Sequence, residues 1–237
     1  MNTLEAIEAR HSVRSYTDEP LSDQDIQALN DVIAACNAEG DLHLQLVVDE
    51  PRAFSTGRAR YGSFKGVRNY IVCAGKNAPD LQERCGYYGE RVVLEAQCLG
   101  LNTCWVGLTF QKIPEAFQLA AGEKLVCVIS LGHGTTQGGP HKIKTAGQVS
   151  DCSEDSPAWY KAGIRAALLA PTALNQQKFS FARKGDIVST KPGLGFFSKV
   201  DLGIARYHFE VAAGKEHFRW ANQVPAQELS GNYVEIK

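Results

Sequence analysis

Seven consecutive residues near the N-terminus, Arg10-His11-Ser12-Val13-Arg14-Ser15-Tyr16, gather two guanidinium groups, an imidazole and three hydroxyls. Arginine presents a planar fork of N–H donors that matches phosphate oxygens, and a neighbouring serine adds another donor. The chemistry such a run could do is recognition of an anionic, phosphorylated small molecule. Taken alone, it reads as a solvated charged face, as charge runs usually are. A second basic stretch, Gly138-Gly139-Pro140-His141-Lys142-Ile143-Lys144, is a Gly-rich turn presenting two lysines, again suited to an anion. A third, Pro171-Thr172-Ala173-Leu174-Asn175-Gln176-Gln177, is a polar loop between two apolar elements. The six histidines show neither H-x-x-x-H nor H-E-x-x-H spacing, so no metal centre is expected. No Gly-x-Gly-x-x-Gly follows a strand, which argues against a dedicated dinucleotide domain.

The elements that must position these residues follow from patterning. Thr3 can cap a short helix, Leu4 to Ala9, that delivers Arg10. A second helix opens at Ser22 with a capping box to Asp25 and carries Ile26, Leu29 and Ile33 on one face. Residues 42–48 and 69–74 read as strands, with 51–66 a surface excursion between them. A long helix from about Cys85 ends at Gly100, a natural C-cap. Residues 103–110 read as a strand, 114–121 as a helix, and 124–131 as a strong strand running into the basic turn. The polar stretch 145–156 (TAGQVSDCSEDS) reads as a linker. Ser156-Pro157 then starts a helix through Ile164 and Leu168. Phe179 and Phe181 alternate as a strand with 185–190 as its hairpin partner. Ser198 or Asp201 caps a helix over 202–213, and 217–221 reads as a strand. Trp105 reads as core. The two halves look alike in outline, and LEAQCLG (94–100) faintly repeats as FEVAAG (209–214).

A chain of 237 residues can hold one large domain or two small ones. With 44% hydrophobic and 22% charged residues it matches a soluble globular protein. The net charge of −1 gives no general attraction to nucleic acid or an anionic membrane, so phosphate binding must be local. No apolar run approaches the ~20 residues that span a bilayer. The first ten residues carry two glutamates and no apolar block, unlike a secretory signal. Seven cysteines without C-x-x-C spacing, of which Cys36, Cys73, Cys98 and Cys127 sit in apolar segments, point to free buried thiols and a reducing, cytoplasmic location.

Together the motifs resemble the FMN-dependent nitroreductases. Arg10-His11-Ser12-x-Arg14-x-Tyr16 is similar to the family's N-terminal motif, and Pro171-Thr172-Ala173-x-Asn175-x-Gln177 to its Pro-Ser-Ser-x-Asn-x-Gln loop. Residues 99–107 (LGLNTCWVG) resemble its helix end and following strand, and 130–144 its closing strand and basic turn. Ordinary members place the Pro-Ser-Ser loop soon after the N-terminal motif; here 34–39 keep no version of it, and the loop appears only in the second half. The arrangement resembles a single-chain, tandem-repeat subfamily in which a homodimer is fused into one polypeptide.

The resemblance implies an α+β nitroreductase-like fold of two pseudo-repeat halves packed as a fused dimer. Residues 1–144 form the first half, 145–156 the linker and 157–237 a shorter second half. It implies a monomer with FMN as cofactor, NAD(P)H as reductant and an electron-poor small molecule, such as a nitroaromatic or quinone, as oxidant in a ping-pong exchange. Carried over, Arg10, Ser12, Lys142 and Lys144 hold the phosphate, with His11 near the ribityl chain. Arg14 approaches the N1/O2 edge of the ring, and Gly107 or Leu108 offers a backbone N–H near N5. Thr172, Asn175 and Gln177 hydrogen-bond ring and ribityl, while Pro171, Ala173 and Leu174 complete the cofactor contacts. The cofactor carries the chemistry, so no acid–base residue is assigned. Plainer readings stand beside these: Arg14 as a surface ion-pair residue, Asn175 and Gln177 as satisfying a turn, and the whole as an FMN sensor or carrier without turnover.

Overall fold

The run Asn69-Tyr-Ile-Val-Cys-Ala74 is almost uninterruptedly apolar because both faces of its strand are covered. Ile71 and Cys73 face a cluster that includes Leu29, Val92 and Val93; Tyr70, Val72 and Ala74 face another with Phe54, Phe64 and Val128. The computed structural model describes residues 1–55, 57 and 61–223. The tail 224–237, counted above with the second half, lies outside the described residues, as do 56 and 58–60 of the 51–66 excursion.

The first half runs α1 (Thr3–Ala9), α2 (Asp23–Gly40), β1 (Gln45–Val47), β2 (Asn69–Lys76), α3 (Leu81–Cys98), β3 (Asn102–Val106) and β4 (Glu123–Gly132). The strands form an antiparallel sheet in the order β1-β2-β4-β3. The chain continues with α4 (Ala146–Val149), α5 (Ala158–Leu168), β5 (Phe179–Lys184), β6 (Ile187–Pro192), α6 (Ser198–Ala213) and β7 (Arg219–Trp220). Here β5 and β6 make the expected hairpin, and β7 pairs parallel to β6. The core beside them is aromatic: Phe209 of α6 stacks on Phe181 at 5.1 Å and meets Tyr160, Phe218 and Trp220 edge-on or tilted.

The helices α3 and α6 pack against each other, and glycine permits the approach. A Cβ on Gly203 would lie 2.0 Å from the Glu83 carbonyl oxygen, and one on Gly86 2.1 Å from that of Val200. No side chain fits between these backbones.

Several boundaries differ from the sequence reading. Asn2, not Thr3, caps α1, through a reciprocal box with Glu5. The excursion at 51–66 is not all surface, since Ala53, Phe54 and Phe64 are core residues. The helix expected at 114–121 is a single 3-10 turn, Pro114–Ala116. The linker is not loose: Thr145 and Gln148 cap α4, Val149 is buried, and Ser150 bridges to Phe181. Ser198 and Asp201 lie inside α6, whose N-cap is Phe197. Cys98 is only half-buried, while Cys36, Cys73 and Cys127 are core. Local patterning sees the capping alphabet but not which competing cap the tertiary contacts select.

Candidate functional site

Arg10 ends α1, its backbone N–H donating to the Ala6 carbonyl at 2.9 Å. Main-chain bonds then strap the following run against the first sheet. Val13 N–H donates to Thr103 O at 3.0 Å and Thr17 N–H to His133 O at 2.8 Å. The Tyr16 hydroxyl, buried, donates to the Val13 carbonyl at 2.7 Å and lies 2.8 Å from Ser130 Oγ. The strap is thus rigid, which is what a phosphate-recognising run requires.

Arg10 is almost wholly buried. Its Nε stands 3.7 Å from Glu90 Oε1 and has no hydrogen-bond partner. Glu90, on α3, is fully buried; it accepts from Trp105 Nε1 at 2.8 Å and faces His208 Nε2 of α6 at 2.9 Å. The other ring nitrogen of His208 lies 3.1 Å from the Ala166 carbonyl, which can only accept. Residues from both halves therefore back the cationic strap. Burial pulls Arg10 below its ordinary value, opposed by Glu90 and then Cys104. Burial lowers His11 as well, followed by the charge of Arg10 and by His141. His141 is lowered by burial first, although its contact with the Leu168 carbonyl raises it. A phosphate dianion would supply the negative charge that this cluster lacks.

The loop after α5 is knitted to the basic turn. Asn175 Nδ2 and Gln177 Nε2 both donate to the Lys142 carbonyl, at 2.8 and 2.7 Å. Lys144 donates its backbone N–H to Gln177 Oε1 at 2.9 Å and its ammonium to the Gln177 carbonyl at 2.8 Å. Gln177 is buried, and both of its amide N–H groups are committed, the second to Asn175 Oδ1 at 2.7 Å. Holding the turn is what these side chains do in this structure. Thr172 Oγ1 accepts from Gln177 N–H at 3.0 Å and closes the loop. Leu174, Asn175 and Gln177 all take the left-handed conformation, costly for residues other than glycine and often found where a loop is held for function.

Strap, β3 end and loop converge on a cleft of about 120 Å³. Ser12, Arg14, Gly107 and Pro171 through Leu174 line it, so seven of the residues singled out by the sequence share one wall. Arg14 is exposed and no carboxylate among the described residues pairs with it. Leu108, the next residue after Gly107, is exposed, as is Leu174. Lys142, Lys144, Asn175 and Gln177 form the adjoining knot, and Arg10 lies beneath with His11 against Gly138 of the basic turn. The arrangement suits a ligand with an anionic tail and a planar apolar head.

A model of one protein family, described as putative TM nitroreductase, matches residues 2–213. The chain belongs to that family. A nitroreductase-family structure from Thermotoga maritima superposes with a TM-score of 0.65 at 22% identity, covering 90% of this chain and 83% of that one. A second, from Desulfovibrio desulfuricans and solved in complex with FMN, gives 0.51 at 19% identity over 66% of this chain and 99% of its own. A search of curated proteins returned no match. At these identities the likeness establishes the nitroreductase fold, an α+β architecture.

In this family member, four residues of the site escaped the sequence reading. Glu90 falls three and four residues before Val93 and Leu94 on the apolar stripe of α3, and His208 four after Ile204 on α6, so a buried polar pair was visible as a break in each stripe. Asp201 and Phe197 gave no such signal. Asp201 Oδ1 accepts from Ala173 N–H, and Oδ2 from Gln176 Nε2, each at 2.9 Å. Burial raises its carboxyl to about 6 even though both hydrogen bonds favour the charged form.

Proposed function

We propose that this chain is an FMN-dependent oxidoreductase that takes hydride from NADH or NADPH and passes electrons to an electron-poor small molecule of nitroaromatic or quinone type. The observation that carries it is the cleft itself: a cationic strap and a polar loop, about 160 residues apart in sequence, face each other across Gly107. The fold is shared with a protein that binds FMN.

The residues fit the cofactor chemically. Arg10, His11, Ser12, His141 and the basic turn supply donors and positive charge for a phosphate, and Arg10 Nε is buried without a hydrogen bond. Pro171 through Leu174 and Gly107 offer backbone and apolar contact for a ring. Bound FMN supplies hydride acceptance and release. Arg14 brings positive charge to the wall of the cleft, where it stabilises a ligand that gains negative charge on reduction. Gln177 and Asn175 hold Lys142 and Lys144 in register with the loop, so the phosphate end and the ring end are positioned as one unit.

The same reading makes the chain a monomeric fused dimer with one surviving site, working in the cytoplasm. A second cleft, of about 450 Å³, supports it. It is built from the corresponding parts: early α3 (Arg84, Tyr87), the end of α2 (Gly40) and β7 (Trp220), where the first uses early α6, the loop after α5 and β3. Its cations are paired within the cleft, Arg84 with Asp80, Arg206 with Glu83 and Lys215 with Glu210, and it lacks any Arg-x-Ser-x-Arg strap.

The test is a visible spectrum of the purified protein after FMN titration. One FMN per chain, bleached by NADH or NADPH and restored by a quinone, is the expected result. Binding without bleaching would leave an FMN sensor or carrier; no binding would sink the proposal. Arg10→Ala, losing a charge-assisted phosphate contact of roughly 1.5–3 kcal/mol, should weaken FMN about tenfold or more.

A further inference from the structure

Gly107 carries no side chain, and the ring that occupies the vacated space is Phe197. A Cβ at Gly107 would lie 2.3 Å from Phe197 Cε2 and 2.5 Å from Cζ, so the ring lies directly on the backbone at the end of β3. Phe197 also lines the cleft, together with Arg14, Pro171 and Leu174. The resulting volume, about 120 Å³, falls below the roughly 300–1,000 Å³ of sites that enclose small molecules. An isoalloxazine ring therefore needs more room than the cleft offers with Phe197 in place.

The segment bearing that ring is glycine-flanked and largely exposed, although Phe197 itself packs against the core. Gly193 and Gly195 flank Leu194, which is 93% exposed, and Phe196 is 85% exposed. Phe197 itself has φ of 60°, an outlier for a bulky residue, and it begins α6 without a side-chain cap. The loop is fastened at its start, where Gly193 N–H donates to the Lys178 carbonyl at 2.7 Å, and again next to the ring. Gln176 Nε2 donates to the Phe196 carbonyl at 3.0 Å and to Asp201 Oδ2 at 2.9 Å, while Asp201 Oδ1 holds Ala173 N–H. The Gln176 amide thus ties the apolar loop to the cofactor loop, and the buried Asp201 carboxyl orients that amide.

We propose that Phe197 is a stopper in the ring end of the cleft, seated on Gly107, and that Asp201 and Gln176 latch the Gly193–Phe197 loop which carries it. The proposal rests on the flavin reading above and names how that site admits a planar ring. Ring entry displaces Phe197; the phosphate end is preformed and needs no such change. In Asp201→Asn the latch breaks, because an amide nitrogen facing Gln176 must either oppose its NH2 group or flip that group away from the Phe196 carbonyl.

The experiment is stopped-flow quenching of FMN and of riboflavin fluorescence by the full-length apoprotein. For Phe197→Ala the association rate should rise at least fivefold and the Kd fall by a similar factor for both ligands, since the stopper competes with the ring and not with the phosphate. Asp201→Asn should accelerate association in the same direction. Phe197→Trp, a larger stopper that keeps the start of α6 apolar, should slow it. Unchanged or slower association in Phe197→Ala and Asp201→Asn, with wild-type far-UV circular dichroism, would overturn the stopper and leave the flavin reading standing. A gain confined to FMN would also overturn it. Should Phe197→Ala not fold, Phe197→Trp decides alone: association as fast as wild type refutes the proposal. Wild-type protein that quenches neither ligand refutes both readings at once.

Discussion

Gly203→Ala isolates the close backbone contact between α3 and α6. In the interior of a helix this change normally stabilises, by about 0.8–1.0 kcal/mol, because alanine loses less backbone freedom on folding. Here the added methyl would sit 2.0 Å from the Glu83 carbonyl oxygen and 2.7 Å from the Tyr87 backbone nitrogen of α3. Neither atom can rotate away as a side-chain tip could, so the two helices must separate and expose part of a buried face. Overpacking costs about 1–3 kcal/mol, and a backbone obstacle puts the cost at the upper end. The expected net is a loss of about 1–2 kcal/mol, opposite in sign to the intrinsic propensity. Urea unfolding followed by far-UV circular dichroism reads it directly, with the Tm falling roughly 2–4 °C per kcal/mol. Gly147→Ala, where nothing lies within 4 Å of the added carbon, is the control and should be neutral or slightly stabilising. If Gly203→Ala matched or exceeded wild-type stability, the backbones of α3 and α6 would not be in contact, and the packing of these helices described above would fall with it.

Asp201 predicts a pH dependence of stability. Its carboxyl is raised from 3.8 to about 6, so between these values the folded chain binds more protons than the unfolded one. Stability should therefore fall as pH rises through that window, by about 3 kcal/mol in total, and Asp201→Asn should flatten that part of the profile. Thiol titration in denaturant should find all seven cysteines free, and under native conditions Cys98 and Cys152, the two that are not buried, should react first. Gln177→Leu strands the Lys144 N–H, while the Lys142 carbonyl keeps its bond from Asn175, and should lose about 1–2 kcal/mol of stability, together with FMN affinity, in parallel urea and titration measurements.

The sequence by itself determined whatever depends on neighbours a few residues away. The Ser22–Asp25 capping box, the covered strand at 69–74 and the β5–β6 hairpin are local matters of capping, period and turn, and they could be read directly. So could the two chemical motifs, because guanidinium and hydroxyl spacing at 10–16 and the Pro-Thr-Ala loop at 171–177 are properties of short segments. What only the tertiary structure decided is which distant groups these segments meet. Arg10 is backed by Glu90 and His208, 80 and 198 residues further on, and no local pattern couples the three. Gln177 reads in sequence either as a ligand to the cofactor or as satisfying a turn, and that its amide holds the basic turn is set by whichever polar backbone packs beside it. Gly107 announced a close approach, but that the approaching ring is Phe197 follows from where α6 begins in space. Short-range preferences specify elements; burial and hydrogen-bond satisfaction, which act between parts remote in sequence, assign their partners.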